Sequence, residues 1–591
     1  MKNSAAKDNG RRQLSNVDFK VLYDRCRMYR NFVNGEEYYY YHEMFFMASN
    51  FINMQKGAKA FMKAVWSKEN EHCVAYTENR DWSVIMRYMK DRGYNPQRCD
   101  EACPHAKDCP HCKNMILTAA PGKTNIVPLK MKEYVTIEEA DESLVSSIKD
   151  AMSRNGIKII KAQTGLGKTT KYLEYILDSD RKYLIVVPTH KLADEICIKA
   201  QNMGITDIIK TPELKGFSDE LMEEIQHIYD TGAGILGLTS LRNRFEVINK
   251  SNPDYLALKA YFDRLDATES HTGNLVITHE RFLNLTEDSP MLDGRTVIVD
   301  EDILRTMLTV HCVSVKEVGL AIKRGVFDDK TVSRLKKILT STGYRRYSGS
   351  KTVRIDEDVM TRLRDIRGNV LDLASASVLK NDGETITYLR TRQFPCRDVT
   401  ILSATVDPKL YELYLGNNIK YYQCKEAPYK GKVRVHTDST YSRDALINSE
   451  GHEELIKKLK EQTKSDIVIT FVAVEESFDT NLHYGNVEGL DCIKGKNISV
   501  IGLPNINEVV YKLYGMAMGI YNPEEKMIYQ KIQHNDHEFY LTTYRNETLR
   551  RIQLWFLETQ LEQAVRRARL LRCDCNVNVY ARFPIEQGEY E

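Results

Sequence analysis

Residues 161–170 read Lys-Ala-Gln-Thr-Gly-Leu-Gly-Lys-Thr-Thr, and an apolar run with Ile157, Ile159 and Ile160 precedes them. The run predicts a buried strand, and the residues after Thr170 are compatible with a helix. A glycine-rich loop in this position presents backbone N–H groups and a helix N-terminus to an anion. Alanine replaces the first glycine of the common pattern, so the flanking strand and helix carry the assignment. The stretch predicts a site for a nucleoside triphosphate.

Each part of this loop has an expected role. Gly165 and Gly167 let the backbone turn toward the phosphates, and Lys168 reaches the β- and γ-phosphates. The Thr169 hydroxyl is suited to binding Mg²⁺. The loop residues that we expect to bind the nucleotide are Thr164, Gly165, Leu166, Gly167, Lys168, Thr169 and Thr170.

A second predicted strand ends in acidic residues. The β-branched run 296–299 is followed by Asp300, Glu301 and Asp302. Strand ends and the phosphate loop meet at the same edge of a parallel sheet, so Asp300 can hold Mg²⁺ and Glu301 can orient or deprotonate the attacking water. A solvated acidic turn is the alternative interpretation of the three acids. The buried strand before them favours the functional one.

Other predicted strands also end in polar residues. They lie in Tyr183–Leu192, which contains Pro-Thr-His, in Leu275–Leu283, and in Val399–Thr405, which ends in Ser-Ala-Thr. The last segment of this series is the arginine-rich stretch Gln560–Arg569. In this order, with the phosphate loop, these segments resemble the motif series of superfamily 2 (DEAD/DEAH-like) helicases, over about residues 135–591.

The resemblance implies an ATP-hydrolysing enzyme with ATP and Mg²⁺ in its site. It gives catalytic roles to Lys168, Asp300 and Glu301. It implies that Ser403 and Thr405 couple hydrolysis to the movement of two lobes. The residues expected to touch a nucleic-acid backbone are Pro188, Thr189 and Thr278.

The last motif departs from the family pattern. If Gln563 is the family glutamine that binds the nucleotide, Arg566 replaces a glycine, and Arg567 and Arg569 are the basic pair. If the arginine spacing is kept instead, Arg566 and Arg569 are the pair, and Glu562 replaces the glutamine. Either choice supplies an arginine that reaches the γ-phosphate across a cleft. Arg566, Arg567 and Arg569 therefore all remain candidate catalytic residues.

The expected fold class is α/β, with two RecA-like parallel-sheet lobes, an N-terminal, mainly helical, Cys-rich metal-binding domain and an insertion in the first lobe. The expected domains are residues 1–115, lobe 1 at 116–415 and lobe 2 at 416–591. Short β-rich runs at 466–471, 498–502 and 577–580 predict strands of lobe 2.

The insertion is expected at about 315–395, because some hundred residues separate the acidic motif from Ser-Ala-Thr. It combines a charged helical part at 316–339 with strand-like runs at 351–355 and 385–390. Its basic residues interleave with Tyr344 and Tyr347, which suits a nucleic-acid clamp, and a solvated surface decoration is the alternative.

Four cysteines cluster near the N-terminus as Cys99-x3-Cys103-x5-Cys109-x2-Cys112. No signal peptide is apparent, so a reducing compartment is expected and a metal explains the spacing better than disulfides. Four thiolates suit structural Zn²⁺, and an iron–sulfur cluster is the alternative metal group. Four unligated cysteines are the remaining interpretation.

The aromatic residues upstream, from Tyr38 to Val65, are expected to form core rather than a binding surface. The segments 43–52, 93–99 and 103–104 weakly resemble the zinc-containing region that precedes the helicase in primase-helicase proteins of phages and mobile elements. This resemblance implies a role in replication and a primase or polymerase partner.

Composition fits a cytoplasmic enzyme. Lys and Arg total 84 against 82 for Asp and Glu, a net charge of +2, so any attraction to nucleic acid must come from local patches. No apolar run reaches membrane-spanning length, and no membrane partner is expected. We expect an ATP-dependent helicase or translocase acting on single-stranded or forked DNA. The alternatives are an ATPase that translocates or remodels without unwinding, and a nucleotide-gated module that recruits a primase or polymerase.

Overall fold

A computed structural model describes residues 17, 19–71, 80–109, 114–119, 126–130, 132–347, 359–416, 418–449, 451–464, 466–486, 493–520 and 523–591. Two predicted features, the thiol of Cys112 and the strand-like run 351–355, lie outside the described residues.

The α-helices of the described residues, in chain order from α1 to α24, are Phe19–Arg25, Arg27–Asn34, Tyr41–Phe51, Gly57–Val65, Trp82–Asp91, Cys99–Ala102, Met115–Thr118, Ile137–Met152, Lys168–Leu177, His190–Asn202, Asp219–Asp230, Gly234–Val247, Asp254–Ser270, His279–Leu283, Leu304–Met307, Val315–Lys323, Asp329–Thr340, Val359–Leu363, Val370–Ser375, Pro408–Leu415, Arg443–Ile447, His452–Gln462, Glu508–Ala517 and Glu547–Arg566. None of these helices combines the length and the apolar composition needed to cross a bilayer.

The β-strands of the same residues, from β1 to β19, are Val127–Pro128, Ile157–Lys161, Lys182–Val187, Ile208–Lys210, Asn274–Thr278, Arg295–Asp300, Leu308–Ser314, Gly343–Arg346, Val378–Asn381, Thr385–Thr391, Val399–Ser403, Ile419–Gln423, Lys432–His436, Ile467–Ile469, Ile498–Ile501, Ile528–His534, His537–Thr543, Asn576–Tyr580 and Gly588–Tyr590.

The chain forms two compact units. The first contains residues up to Leu129 together with Thr437–Ser439 and Met527–Thr543, and the second contains the rest. In the first unit, helices α1 to α7 enclose an aromatic and methionine core, and β1, β17 and β16 form a small antiparallel sheet.

The prediction that the upstream aromatics form core holds for only some of them. Phe46, Phe51 and Phe61 are fully buried, but Tyr40 and Tyr41 are 64% and 44% exposed. The difference follows position along α3, because every residue from Phe46 to Phe51 is buried while the start of the helix is exposed.

The second unit contains a seven-stranded parallel sheet with the order β12-β2-β11-β6-β3-β5-β4. Its central strands are runs of buried branched residues, as expected for a sheet covered on both faces. Strand β12 lies beyond the predicted lobe boundary at residue 415. The boundary differs because Ile419–Gln423 pairs along the whole length of β2, a long-range contact that no local pattern signals.

The same unit contains a second parallel sheet, which has five strands in the order β14-β15-β18-β13-β19. The three strands predicted from the sequence are confirmed as β14, β15 and β18. The α/β class is therefore confirmed, and the two parallel sheets are consistent with two RecA-like lobes.

The insertion is an antiparallel sheet with the order β7-β10-β9-β8. It begins at Leu308, a few residues before the predicted start, and the predicted helical part forms α16 and α17. The ring of Tyr344 lies 5.7 Å from the amine of Lys380. The tyrosines and cations are thus adjacent, and the choice between clamp and decoration stays open.

Candidate active site

The phosphate loop connects β2 to α9, as the sequence predicts. Gly165 and Gly167 have φ values of +86° and +89°, where a Cβ would be strained, so both positions require glycine. Lys168 begins α9 and is only 8% exposed. The loop lines a cavity of about 390 Å³ with the ends of several strands. An anion placed there faces the N-terminus of α9.

Asp300 ends β6 inside this cavity and is buried. The hydroxyls of Thr169 and Tyr172 each donate a hydrogen bond of 3.0 Å to its Oδ2. Burial, and then the neighbouring charge of Glu301, raise the pKa of Asp300 to about 6. A carboxylate next to a threonine hydroxyl is a pair of hard oxygen donors, so these two residues fit Mg²⁺.

Glu301 is held in an unusual backbone conformation with φ +73°. Its N–H donates to the carbonyl of Leu402 at 2.9 Å, which locks the residue between β6 and β11. The Ser403 hydroxyl lies 3.5 Å from Glu301 Oε2, and the Thr405 N–H donates to Ser403 Oγ at 3.3 Å. Strain of this kind persists only where surrounding contacts fix the residue, as is common at active sites.

Asp302, the third acid, connects the cavity to α24. Tyr411 donates to its Oδ1 at 2.6 Å, and the indole N–H of Trp555 donates to its Oδ2 at 3.1 Å. A second link is the ion pair between Asp407 and Arg551 at 2.7 Å. The strand edge and α24 are therefore held together by two polar contacts.

The predicted nucleic-acid contacts separate into two groups. Pro188 and Thr189 line the cavity, and the Thr189 hydroxyl caps α10 by accepting from the N–H of Leu192. Thr278 caps α14 in the same manner at the end of β5 and does not line the cavity. All three therefore lie at the carboxyl edge of the first sheet, and their roles stay predictions.

The end of α24 brings the last motif to the same cavity. Gln563, Arg566, Arg567 and Arg569 all line it. Together with the strand ends described above, every predicted nucleotide-site residue except Leu166 and Ser403 lines one cavity, and both of those are buried beside it.

Arg566 is occupied by internal contacts. Its side chain is 10% exposed and forms ion pairs with Glu562 at 2.9 Å and Glu586 at 2.8 Å. Its Nη1 donates to the Thr164 hydroxyl at 3.3 Å. Burial opposes the charge, but the two carboxylates outweigh it and hold the pKa of Arg566 above its usual range. The arrangement fits a structural clamp on the phosphate loop better than a free guanidinium.

A carboxyl pair lies next to this clamp. The Glu426 and Glu586 side chains hydrogen-bond to each other, and Lys132 forms an ion pair with Glu426. Burial, and then the charge of Glu586, raise the pKa of Glu426 to about 7. Two buried carboxyls in contact favour one shared proton, because it removes the repulsion between two charges.

The sequence interpretation missed Lys199. This residue of α10 lines the cavity, and its amine donates to the Thr170 hydroxyl at 2.5 Å. Burial lowers its pKa, although the nearby charge of Asp300 opposes that effect. The available signal was helical spacing, because Leu192, Ile196 and Lys199 share one face of α10.

The cysteine cluster is only partly described. Cys99 is buried, while Cys103 and Cys109 are half-buried. Cys26 is buried in the same core, and burial, with a contribution from the thiols of Cys103 and Cys109, raises its pKa to about 12. Within the ranges that the structure describes, no three His, Cys, Asp or Glu side chains are placed to hold a metal ion. The four-thiol site therefore stays a prediction.

Comparison with known families gives one match. Residues 138–258 match the DEAD/DEAH box helicase family, a range that includes the phosphate loop, β3 and α10. No curated protein sequence matches the chain.

Solved structures resemble the chain weakly. A structure of apo XPD has 13% identity and a TM-score of 0.41, covering 75% of this chain and 95% of that chain. S. tokodaii Xpd4 has 13% identity and a TM-score of 0.39 over 75% and 95%. Mss116p bound to ssRNA and AMP-PNP has 10% identity and a TM-score of 0.28 over 79% and 81%. Likeness at this level does not bear on function.

The family match covers the nucleotide-binding segment, and the cavity joins that segment to the acidic strand end and the arginine-rich helix end. The chain is therefore an ATP-hydrolysing enzyme.

Proposed function

We propose that the chain is an ATP-dependent nucleic-acid helicase or translocase that acts on single-stranded or forked DNA. The observation that carries the proposal is the composition of the cavity. Lys168 and Glu301 come from the first sheet, while Arg567 and Arg569 come from the end of α24. An ATPase whose site is completed by two parts of the chain can convert hydrolysis into relative movement of those parts.

The chemical step is assigned to residues at the strand ends. The N–H groups of the phosphate loop and the Lys168 amine bind the triphosphate of ATP. Glu301 orients the attacking water and accepts its proton. Thr169 and Asp300 would hold Mg²⁺, which neutralises charge on the β- and γ-phosphates when it is bound. An arginine of the α24 end stabilises the charge that develops on the γ-phosphate.

Coupling to nucleic acid is assigned to neighbouring groups. Ser403 contacts both Glu301 and Thr405, so we propose that a change at the γ-phosphate alters the end of β11. Pro188, Thr189 and Thr278 lie at ends of β3 and β5, where we propose that they contact the sugar-phosphate backbone.

The test is ATP hydrolysis by the purified chain without nucleic acid and with single-stranded DNA, duplex DNA or RNA. Lys168→Ala is the inactive reference. Lys182→Ala is the matched control. Lys182 is an exposed lysine at the start of β3, the end of the strand away from the cavity, and it forms an ion pair with Asp207. Stimulation by single-stranded DNA that Lys168→Ala abolishes and Lys182→Ala retains supports the proposal. Absence of hydrolysis with every nucleic acid contradicts it.

A forked-duplex assay separates helicase from translocase. Strand separation supports the helicase, while stimulated hydrolysis without separation supports an enzyme that moves or remodels only. Three results together support the nucleotide-gated module instead. The wild type hydrolyses ATP slowly, the Glu301→Gln variant binds ATP, and that variant still captures a primase or polymerase.

We extend the proposal to replication of a phage or mobile element, with a primase or polymerase as partner. The support is the weak resemblance of the N-terminal segment to the zinc-containing region of primase-helicase proteins. Co-purification of the chain with such a partner after tagged expression in the host tests this extension.

We also propose a Zn²⁺ site formed by Cys99, Cys103, Cys109 and Cys112, with an iron–sulfur cluster as the alternative. The support is the spacing of four thiols within fourteen positions. Metal analysis of the purified chain tests it, with Cys109→Ser as the variant and Cys197→Ser as the control. Equal zinc in all three proteins contradicts the site, and iron with visible absorbance supports the cluster.

A further inference from the structure

A row of aromatic rings lies on the first unit. It consists of Tyr41, Phe45, Tyr94 and Tyr88, and we call it the aromatic ladder. Neighbouring ring centroids in this order are 5.9, 5.7 and 6.5 Å apart. The rings come from α3, α5 and the loop after α5, so residues distant in sequence form one continuous row.

The three tyrosines of the ladder are exposed. Tyr88 is 52% exposed, Tyr41 is 44% exposed and Tyr94 is 38% exposed. Helix α5 already buries another face, which carries Trp82 and Met86. Trp82 also stacks on the ring of Tyr41, with the ring centroids 5.8 Å apart. The ring surface left open to a ligand is therefore that of Tyr88 and Tyr94.

A guanidinium lies over each end of the ladder. Arg80 is 4.3 Å from the ring centroid of Tyr41, and Arg92 is 5.3 Å from that of Tyr88. Both arginines are exposed. A guanidinium over a ring holds a positive charge beside the open aromatic surface.

The charges around α5 are mainly positive. The exposed basic residues of segment 80–94 are Arg80, Arg87, Lys90 and Arg92, and its acids are Asp81 and Asp91. One of the acids is engaged, because Asp81 caps α5 by accepting from the N–H of Ser83 at 2.8 Å. The surface therefore favours an anionic ligand with flat apolar groups.

We propose that the aromatic ladder binds single-stranded DNA, with bases stacked on Tyr88 and Tyr94 and phosphates beside Arg80 and Arg92. The inference rests on the proposed function and adds a nucleic-acid contact outside the two parallel sheets. A protein partner could cover the rings, but it gives no reason for a cation over each end of the row. A duplex could satisfy the cations, but its stacked bases would not reach the rings.

The test measures anisotropy of a fluorescein-labelled oligothymidylate, without nucleotide, on the full chain. Stacking is worth about 1–3 kcal/mol per base, so Tyr88→Ala is expected to weaken binding about tenfold. Tyr88→Phe keeps the ring and is expected to bind within about twofold of the wild type. Trp66→Ala is the matched control, because Trp66 is a 69% exposed aromatic of the same unit outside the ladder.

Salt dependence tests the cations separately. Arg92→Ala is expected to reduce the slope of log affinity against log salt by about 0.7, the value for one phosphate of a single strand. Tyr88→Ala is expected to weaken affinity while leaving that slope unchanged. Equal slopes for wild type and Arg92→Ala overturn the assignment of phosphates to the ends of the ladder.

Other outcomes overturn the stacking proposal. One is unchanged affinity in Tyr88→Ala, which would leave the rings to a protein partner, and another is equal loss in Tyr88→Phe. A thermal unfolding midpoint equal to the wild type confirms that each variant is folded. If Tyr88-dependent binding persists in Lys168→Ala while DNA fails to stimulate hydrolysis by the wild type, the proposed function fails and the ladder stands.

Discussion

The two walls of the nucleotide cavity are built in different ways. One wall consists of strand ends and the phosphate loop, where Lys168, Asp300 and Glu301 extend from fixed backbone positions. The other is the end of a helix, where Arg566 is the last helical residue and Arg567 is the residue that caps it. Backbone geometry alone sets the role of the first group, while packing decides the roles on the second wall.

The difference is clearest in the charges. Asp300 accepts hydrogen bonds from two hydroxyls inside the cavity. Both hydroxyls belong to α9, which follows the phosphate loop on the same wall. Arg566 is held by Glu562 and Glu586, which belong to the helix and to the C-terminal segment. A residue that lines the cavity can therefore act either in hydrolysis or in holding the fold together. Substitution distinguishes the two roles, because the first lowers kcat and the second lowers the free energy of unfolding.

The largest effect is expected at the other two arginines. Arg567→Ala and Arg569→Ala should lower kcat, by about 10³-fold for the one that reaches the γ-phosphate. The reason is that stabilisation of the transferring phosphate charge is lost, and the unfolding midpoint of each variant separates this loss from a loss of packing. Steady-state ATP hydrolysis with single-stranded DNA measures it.

The control for this comparison is Arg572→Ala. Arg572 donates to the carbonyl of Gly165 at 3.2 Å, so it touches the phosphate loop from a position outside the cavity lining. A kcat near the wild-type value is expected. If neither Arg567→Ala nor Arg569→Ala has a lower kcat than Arg572→Ala, neither of these two arginines is the one that reaches the γ-phosphate.

Arg566→Ala should mainly lower stability and not kcat. Removing one partner of a buried ion pair leaves Glu562 and Glu586 uncompensated, so the free energy of unfolding should fall by about 3 kcal/mol. Urea denaturation measures the loss, with exposed Arg545→Ala as control. An unchanged unfolding midpoint with a drop in kcat of about 10³-fold would instead make Arg566 the arginine that reaches the γ-phosphate.

The same distinction explains what the sequence could predict. Asp300 and Glu301 were found because an acidic pair after a buried strand has one placement at a sheet edge. The role of Arg566 could not be predicted, since it depends on an ion pair with Glu586 in a separate element. Helical spacing could have placed Lys199 beside the site, but its contact with Thr170 joins two different helices and has no local signal.

Long-range strand pairing limited the fold prediction in the same way. The strands of both sheets follow local β-rich patterns, but β12 joins β2 across more than two hundred residues of chain. Strand β17 of the β16–β17 hairpin likewise pairs with β1, which precedes it by about four hundred residues of chain. Such pairings place a segment in its sheet without leaving a local signal.

A smaller effect is expected at Lys199. Its amine contacts Thr170 and lies near Asp300, so we expect it to add positive charge where the triphosphate binds. Lys199→Ala should lower kcat/KM for ATP about tenfold, and Lys199→Arg should retain most activity because the charge is kept. Lys182→Ala is the control, and an equal kcat/KM in Lys182→Ala and Lys199→Ala would show that the contact with Thr170 is only structural.

The smallest effect concerns pH and the carboxyl pair behind the clamp. The pKa of Glu426 is raised to about 7 in the folded chain, above the usual value near 4.5, so the folded state binds a proton more tightly than the unfolded state. Its contribution to stability is complete below about pH 4.5 and is lost as the pH rises through about 7. Glu426→Gln cannot titrate, so the decline in unfolding free energy between pH 5 and pH 8 should shrink by about 1 kcal/mol.

Thermal unfolding across this pH range measures the effect, with exposed Glu133→Gln as control. Glu586, Lys132, Tyr134 and Gln423 surround Glu426, and each is present in both variants. A pH profile of Glu426→Gln that overlays the wild type would show that the pair holds no proton near neutral pH. The clamp on Thr164 would then be a network of fixed charges, and its strength would not depend on pH in this range.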